Sequence, residues 1–204
     1  CGGDNDLGAK YMGLFGTVTT FSTLAAIAGV TWISSRIGKR KTFIIAISIM
    51  LFGSILKWFC YDPMTTWLVI LPAPFIAVGM GALFTLMGSM VADVCDLDEL
   101  ETGERREGMF GAIYWWMVKL GMALAFGASG FLLNATGFVV DFGGAQTSST
   151  FFWMRVVDVG IPAAGCIIAI FSVASFKITE ERSYEIRSEL EKRRSKTIIS
   201  EKVS

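Results

Sequence analysis

Histidine is absent from this 204-residue sequence, and with it goes the commonest general base of enzymes. Cysteine is sparse. Cys1, Cys60, Cys95 and Cys166 are scattered with no CxxC pair, which argues against a zinc site or a disulfide framework. Charge is scarce too, at 18% of residues, and it balances to zero, so there is no global field to attract nucleic acid. There is no evident internal repeat and no low-complexity tract. The opening CGGDNDLGAK has neither an initiator methionine nor the basic-then-apolar order of a signal peptide. Residues 1–10 read as the remnant of an external loop cut from a longer chain.

What the sequence has in excess is apolar surface. Hydrophobic residues make up 53% and the mean hydropathy is +0.56, whereas a soluble domain of this size is roughly half apolar and about a quarter charged. The excess is clustered. A helix needs ~20 mostly apolar residues to cross the hydrocarbon core, and five segments qualify: residues 11–34, 42–60, 67–91, 107–133 and 156–176. The spacing therefore predicts an all-α membrane protein, with a transmembrane bundle over residues 11–176 and a charged tail over 177–204. A soluble fold would leave too little chain to cover five such segments.

Lysine and arginine in short loops set orientation. Arg36, Lys39, Arg40 and Lys41 lie in the first loop, Arg105 and Arg106 in the third. The tail carries Lys177, Arg182, Arg187, Lys192, Arg193, Arg194, Lys196 and Lys202. All fall on one side, which is predicted to be cytoplasmic, so the N-terminus is outside and the C-terminus inside. The opposite side carries Lys10, Lys57 near a helix end, and Arg155. Tyr61-Asp62-Pro63 ends the second span, and the Gly-, Ser- and Thr-rich stretch 134–150 links the last two. In the tail, Ile186 and Leu190 at i, i+4 predict a short surface helix.

Lys119 lies near the middle of the fourth span, where a charge costs at least ~2.5–3.5 kcal/mol. It needs a carboxylate partner or a wet cavity, and the chain offers no acid at that depth. A structural ion pair between helices competes with a functional site as the explanation. At 100° per residue its face carries Gly108, Ala112, Trp115, Met122, Ala123 and Phe126. Aromatic rings flanking one charge suit a sugar, whose C–H face stacks on a ring while its hydroxyls need partners. Ordinary packing accounts for Trp115 equally well, and better for Trp116. Gly121, Ala125 and Ser129, at four-residue spacing, allow close helix approach, and Gly79, Gly81 and Gly88 on the third helix read as packing positions too.

Asp93 and Asp96 open the run DVCDLDELETGERREG, which continues through Asp98, Glu99, Glu101 and Glu104. A paired-carboxylate catalyst and a solvated loop are both open readings. A third is a cytoplasmic gate in which Asp93 and Asp96 pair with Arg105, Arg106 or basic groups of a neighbouring bundle.

The stretch MVADVCDLDELETGERREGMFGAIYWWMVKLG resembles the glycoside–pentoside–hexuronide:cation symporter family, a branch of the major facilitator superfamily that includes the melibiose carrier. Three elements occur in the family's order: MxAD…D, a TGxRREG-like turn, and a helix with Lys in a VK-G context. The tail YEIRSELEKRR after ITEE is similar as well, so the likeness covers the last two-thirds of the chain. The basic loop SRIGKRK resembles the superfamily's only weakly, because the usual Asp is missing. The resemblance implies a twelve-helix fold of two halves with substrate between them near the midplane. This chain would supply helices eight to twelve, and the missing N-terminal half would be its partner.

On that resemblance Lys119 matches the family's lysine at the shared sugar and cation site; Trp115 and Phe126 on its face, with Tyr114 beside them, are the further substrate-binding candidates. Tyr114 and Trp115 replace polar residues of the melibiose carrier, so its substrate does not transfer. Cation ligands lie in the absent half, and a coupling Na+ or H+ is implied by resemblance alone. No other cofactor and no metal site within the chain is expected. The location implied is the plasma (inner) membrane. The expected function is secondary active symport of a sugar or glycoside. The alternatives are a related carrier of another solute such as a lysolipid, a five-helix structural subunit, for which the Met-less start is a difficulty, and an intramembrane enzyme. The last lacks His, GxSxG and a mid-membrane Asp pair.

Overall fold

A computed structural model describes residues 5–61, 65–176 and 178–203. Helix α1 spans Asn5–Ile37, α2 Lys39–Cys60, α3 Ala73–Thr102, α4 Glu107–Ala135, α5 Ser148–Ala174 and α6 Glu180–Val203. Short 3-10 turns at Thr66–Ile70 and Val140–Phe142 precede α3 and α5. Among the described residues α1 to α5 are the five helices long and apolar enough to cross a membrane, in an all-helical fold.

The helices outrun the apolar segments that mark them. Residues 5–10, expected as external loop, are the first turns of α1, with Asp6 complementing the positive end of the helix. Helix α3 begins at residue 73 rather than 67, because Pro72 interrupts the chain before it and Pro74 suits its first helical turn. It then runs to Thr102 instead of stopping at 91, so the acidic run is helix up to that residue and not a loop. Gly103 closes it in the left-handed conformation at φ 75, donating its N–H to Glu99 O at 2.9 Å. Helix α5 starts eight residues before the expected 156, at Ser148, where the Thr147 hydroxyl caps it by accepting from Thr150 N–H. Hydropathy marks where a helix meets lipid; capping marks where the backbone turns, and a helix continues into water until a cap stops it.

Helix α3 packs against both α1 and α2, and α2 packs against α5. The core is built from Val30, Phe43, Ala46, Ile47, Ala82, Leu86, Met90, Cys166 and Val173. All but Ala82 and Leu86 lie in the half of their helix nearer the basic loop 36–41, while Cys60, Ala73 and Ala77 are buried where α2 and α3 meet at the other end. Two glycines permit the tight α2–α3 crossing. A Cβ on Gly53 would stand 2.6 Å from Phe75 Cβ, and one on Gly79 2.4 Å from Met50 Cβ.

Helix α4 stands apart. None of its 29 residues is buried, and it rests chiefly on α3. The partly shielded positions Arg106, Phe110, Gly111, Tyr114 and Val118 recur at helical spacing and mark the strip turned toward α3. A Cβ on Gly121 or on Gly88 would meet open space, so neither the small-residue stripe of α4 nor Gly88 serves a helix contact among the described residues.

Candidate functional site

The basic end of the bundle holds a charge cluster centred on Asp93. This carboxylate is 5% exposed, on the inner face of α3. Its Oδ2 accepts from Lys39 Nζ at 2.7 Å. Its Oδ1 accepts from Lys39 Nζ at 2.8 Å, Arg187 Nη2 at 2.8 Å and the Ser183 hydroxyl at 2.9 Å. Asp96, one turn on, accepts from Arg187 Nε at 3.2 Å. Two cations thus meet two carboxylates, which removes the net charge, and the hydroxyl fills a remaining lone pair. A buried carboxylate is tolerable only when so satisfied.

Three elements deliver these groups. Gly38, at φ 88, turns the chain from α1 directly into α2 and puts Lys39 at the first helical position. Glu180 accepts the Lys39 N–H at 3.1 Å, capping α2 from the far end of the chain. Helix α6 buries Ser183, Ile186 and Leu190 along one strip, and that strip sets Arg187 against α3. Farther along, Arg194 pairs with Glu99 at 2.7 Å, and Arg193 Nη1 donates to Leu100 O at 2.8 Å. The tail is docked on α3 by the Ile186–Leu190 strip and by charge together.

The other two residues expected at this gate go elsewhere. Arg106 makes a two-pronged pair with Asp98, at 2.9 Å and 2.5 Å, joining the end of α3 to the start of α4. Arg105 pairs with the exposed Glu107 at 2.7 Å. Each guanidinium has its pKa raised by these bonds, so both remain charged. Asp93 is therefore not bound to Arg105 or Arg106: its partners are Lys39, 54 residues earlier, and Arg187, 94 later. Nothing local in the sequence signals those separations; the apolar i, i+4 pair beside Arg187 is the one hint.

Lys119 lies on the exposed part of α4. Trp115 and Phe126, one turn before and two turns after, are 56% and 74% exposed. No carboxylate among the described residues is paired with Lys119. Tyr114 is separate, half-shielded on the α3 side, with its ring edge-on to Trp115 at 5.4 Å between centroids. The face expected around Lys119 is thus formed by Trp115 and Phe126, with Tyr114 behind it.

At the opposite end Asp158 of α5 accepts from Lys57 Nζ at 2.9 Å and from the Tyr61 hydroxyl. Arg155 donates to Tyr61 O and lies over the Trp58 and Tyr61 rings. Burial, with the Asp158 hydrogen bond adding to it, raises the Tyr61 phenol, so it stays the donor. Sequence reading placed Lys57 and Arg155 on this side but not Asp158, which the early start of α5 brings level with them. Asp62 and Pro63 lie outside the described residues.

A protein-family model described as MFS/sugar transport protein matches residues 7–180. An uncharacterized symporter of Synechocystis is 36% identical over 129 residues, covering 59% of this chain and 23% of the relative. The isoprimeverose transporter of Lactiplantibacillus pentosus is 24% identical, over 76% of this chain and 32% of the relative. A glucuronide carrier protein homolog of Escherichia coli is 24% identical, over 84% and 37%. The chain thus spans under two-fifths of the length of these curated relatives. No solved structure matches. Five membrane-length helices and a match running from the first turns of α1 to the start of α6 make this a multi-pass membrane protein, and the chain belongs to the MFS/sugar transport family.

Proposed function

We propose that this chain forms helices eight to twelve of a twelve-helix secondary active carrier that moves a sugar or glycoside together with Na+ or H+. The supporting observation is Lys119: a lone ammonium near the middle of a membrane-length helix with no buried residue, and with no acid among the described residues paired with it. A charge at that depth needs a partner or water, and a missing half supplying carboxylates and a solute cavity would provide both. Trp115 and Phe126 on the same face offer stacking surfaces for a sugar ring. Relatives described as an isoprimeverose transporter and a glucuronide carrier homolog favour glycosides as the solute class.

In this reading the basic end is cytoplasmic, by the excess of Lys and Arg there, in the plasma (inner) membrane. The Asp93–Lys39–Arg187 cluster is the inner closure, and Asp96 and the Arg106–Asp98 pair tie α3 to the tail and to α4. Arg105 sits beside it on the surface. Opening inward requires those pairs to part. A second reading keeps the fold and changes the solute. A groove of about 460 Å3 between α1 and α3 is lined by Phe15, Leu24, Met80 and Phe84, with Thr19 and Thr23. The threonine hydroxyls are committed to carbonyls one turn back, leaving an apolar wall. Such a wall favours an amphiphile, for example a glycoside with an apolar aglycone or a lysolipid.

The test is uptake by the intact carrier. Lys119→Ala is expected to abolish or uncouple uptake, by at least about tenfold in rate, while membrane insertion stays normal. Wild-type uptake by that variant rules out the assignment. Competition by sugars and by lysolipids separates the two solute classes.

A further inference from the structure

At the basic end the cations divide into two sets. Lys39, Arg105, Arg106, Arg182, Arg187 and Arg194 each face a carboxylate of this chain. Arg36, Arg40 and Lys41, at the α1–α2 junction, face none among the described residues. Arg36 is exposed and its guanidinium lies 5.4 Å from the centroid of the Trp32 ring. Lys41 is exposed, and Arg40 donates to Ala174 O at the end of α5. The nearby acids are committed: Glu180 caps the Lys39 N–H, and Asp93 holds Lys39 and Arg187.

Beneath these charges the surface is apolar and open. Trp32, Ile33 and Ile37 on the last turns of α1 are exposed, as are Ile168 and Phe171 near the end of α5, the helix that Arg40 joins to this junction. An uncompensated basic rim above an exposed apolar wall, with a tryptophan at the boundary, matches an amphiphile with an anionic head. A guanidinium held over an indole ring keeps its fork of donors in a defined place, and that fork fits a phosphodiester.

We propose that the Trp32–Lys41 junction is a binding site for one anionic phospholipid, its phosphate held by Arg36, Arg40 and Lys41 and its acyl chains lying along the end of α1 and of α5. The positive end of α2, which begins at Lys39, adds to the attraction. The site needs only that this end of the bundle meets a membrane surface, and it is independent of the solute carried.

The intact carrier, purified in detergent and given phosphatidylglycerol or phosphatidylcholine, tests this by native mass spectrometry of the retained lipid. The wild type is expected to retain phosphatidylglycerol preferentially. Arg36→Gln with Lys41→Gln is expected to weaken that retention roughly fivefold per charge, the factor that ~1 kcal/mol represents. Arg40 is spared because it also holds the end of α5. A charge-matched control, Arg182→Gln with Lys192→Gln on α6, should change little. Should the double variant fail to insert, Lys41→Gln alone still predicts a fivefold loss, since its exposed side chain holds nothing in place. Undiminished retention in these variants overturns the site. So does an equal loss in the control, which would mean diffuse charge attraction, or equal retention of phosphatidylcholine. Uptake is not the readout, so failure of this site and failure of the carrier reading are separate results.

Discussion

Asp93 concentrates the electrostatics of this protein in one carboxylate. It accepts from two cations and a hydroxyl on two other helices, and it is buried while Lys39 and Arg187 reach partly into water. Removing one partner of a buried pair costs about 3–5 kcal/mol, because the other charge is left without compensation. Here the orphaned groups are the more exposed ones and Asp96 still serves Arg187, so Asp93→Ala is expected to cost roughly 2–3 kcal/mol. Thermal unfolding of the detergent-solubilised protein would show a lowered midpoint, and hydrogen exchange would show faster opening of α6. An unchanged midpoint would mean that the tail is held by its apolar strip alone. Lys119 is the opposite case at this scale: its deletion should leave the fold of this chain untouched, since no described residue is paired with it.

Among the helices, closeness of approach distinguishes glycines that look alike in sequence. Gly79 and Gly88 sit on the same helix, yet a Cβ at the first would collide with Met50 and at the second would meet nothing. Gly79→Ala is expected to cost about 1–3 kcal/mol, the usual range for overpacking. Gly88→Ala is expected to be neutral or to stabilise by up to about 1 kcal/mol through helix propensity. Midpoints of thermal unfolding for the two variants check the contrast, and equal midpoints would refute the α2–α3 crossing described here. Helix α4 illustrates the complementary point. Its apolar faces, with Trp115, Trp116, Phe126 and Phe131 all more than half exposed, are read correctly as membrane-length but find little to pack on among the other five helices.

For the molecule as a whole, the proposed orientation rests on charge rather than on any fold contact. Alkaline phosphatase fused within the 137–147 connection is expected to be active, as an external enzyme, while green fluorescent protein fused to the C-terminus is expected to fluoresce, as a cytoplasmic one. An active phosphatase at the C-terminus would invert the assignment and move the Asp93 cluster to the outer face. The large apolar side chains left exposed on α1, α4 and α5 suit a bundle whose remaining surface is met by a second body. In the proposed carrier that body is the other half, and the exposed Lys119 face and the α1–α3 groove are where it would meet this chain.

The sequence alone determined the number and approximate position of the membrane-length helices, because hydrocarbon imposes a length and composition on any helix that crosses it. It also determined which end carries the basic groups, and Lys119 stood out because one charge in an apolar span needs no neighbour to be noticed. Only the tertiary structure decided the charge partners. An ion pair across the bundle depends on which helix faces touch and at what depth, and a pair separated by 54 or 94 residues leaves no local trace. In the sequence Asp93 stayed open between a solvated run, a catalytic pair and a gate, because the helix limits there are set by Gly103 and not by hydropathy. Once α3 continues to Thr102, Asp93 lies one turn from Asp96 on the side where α6 docks, and packing turns an acidic stretch into a cluster.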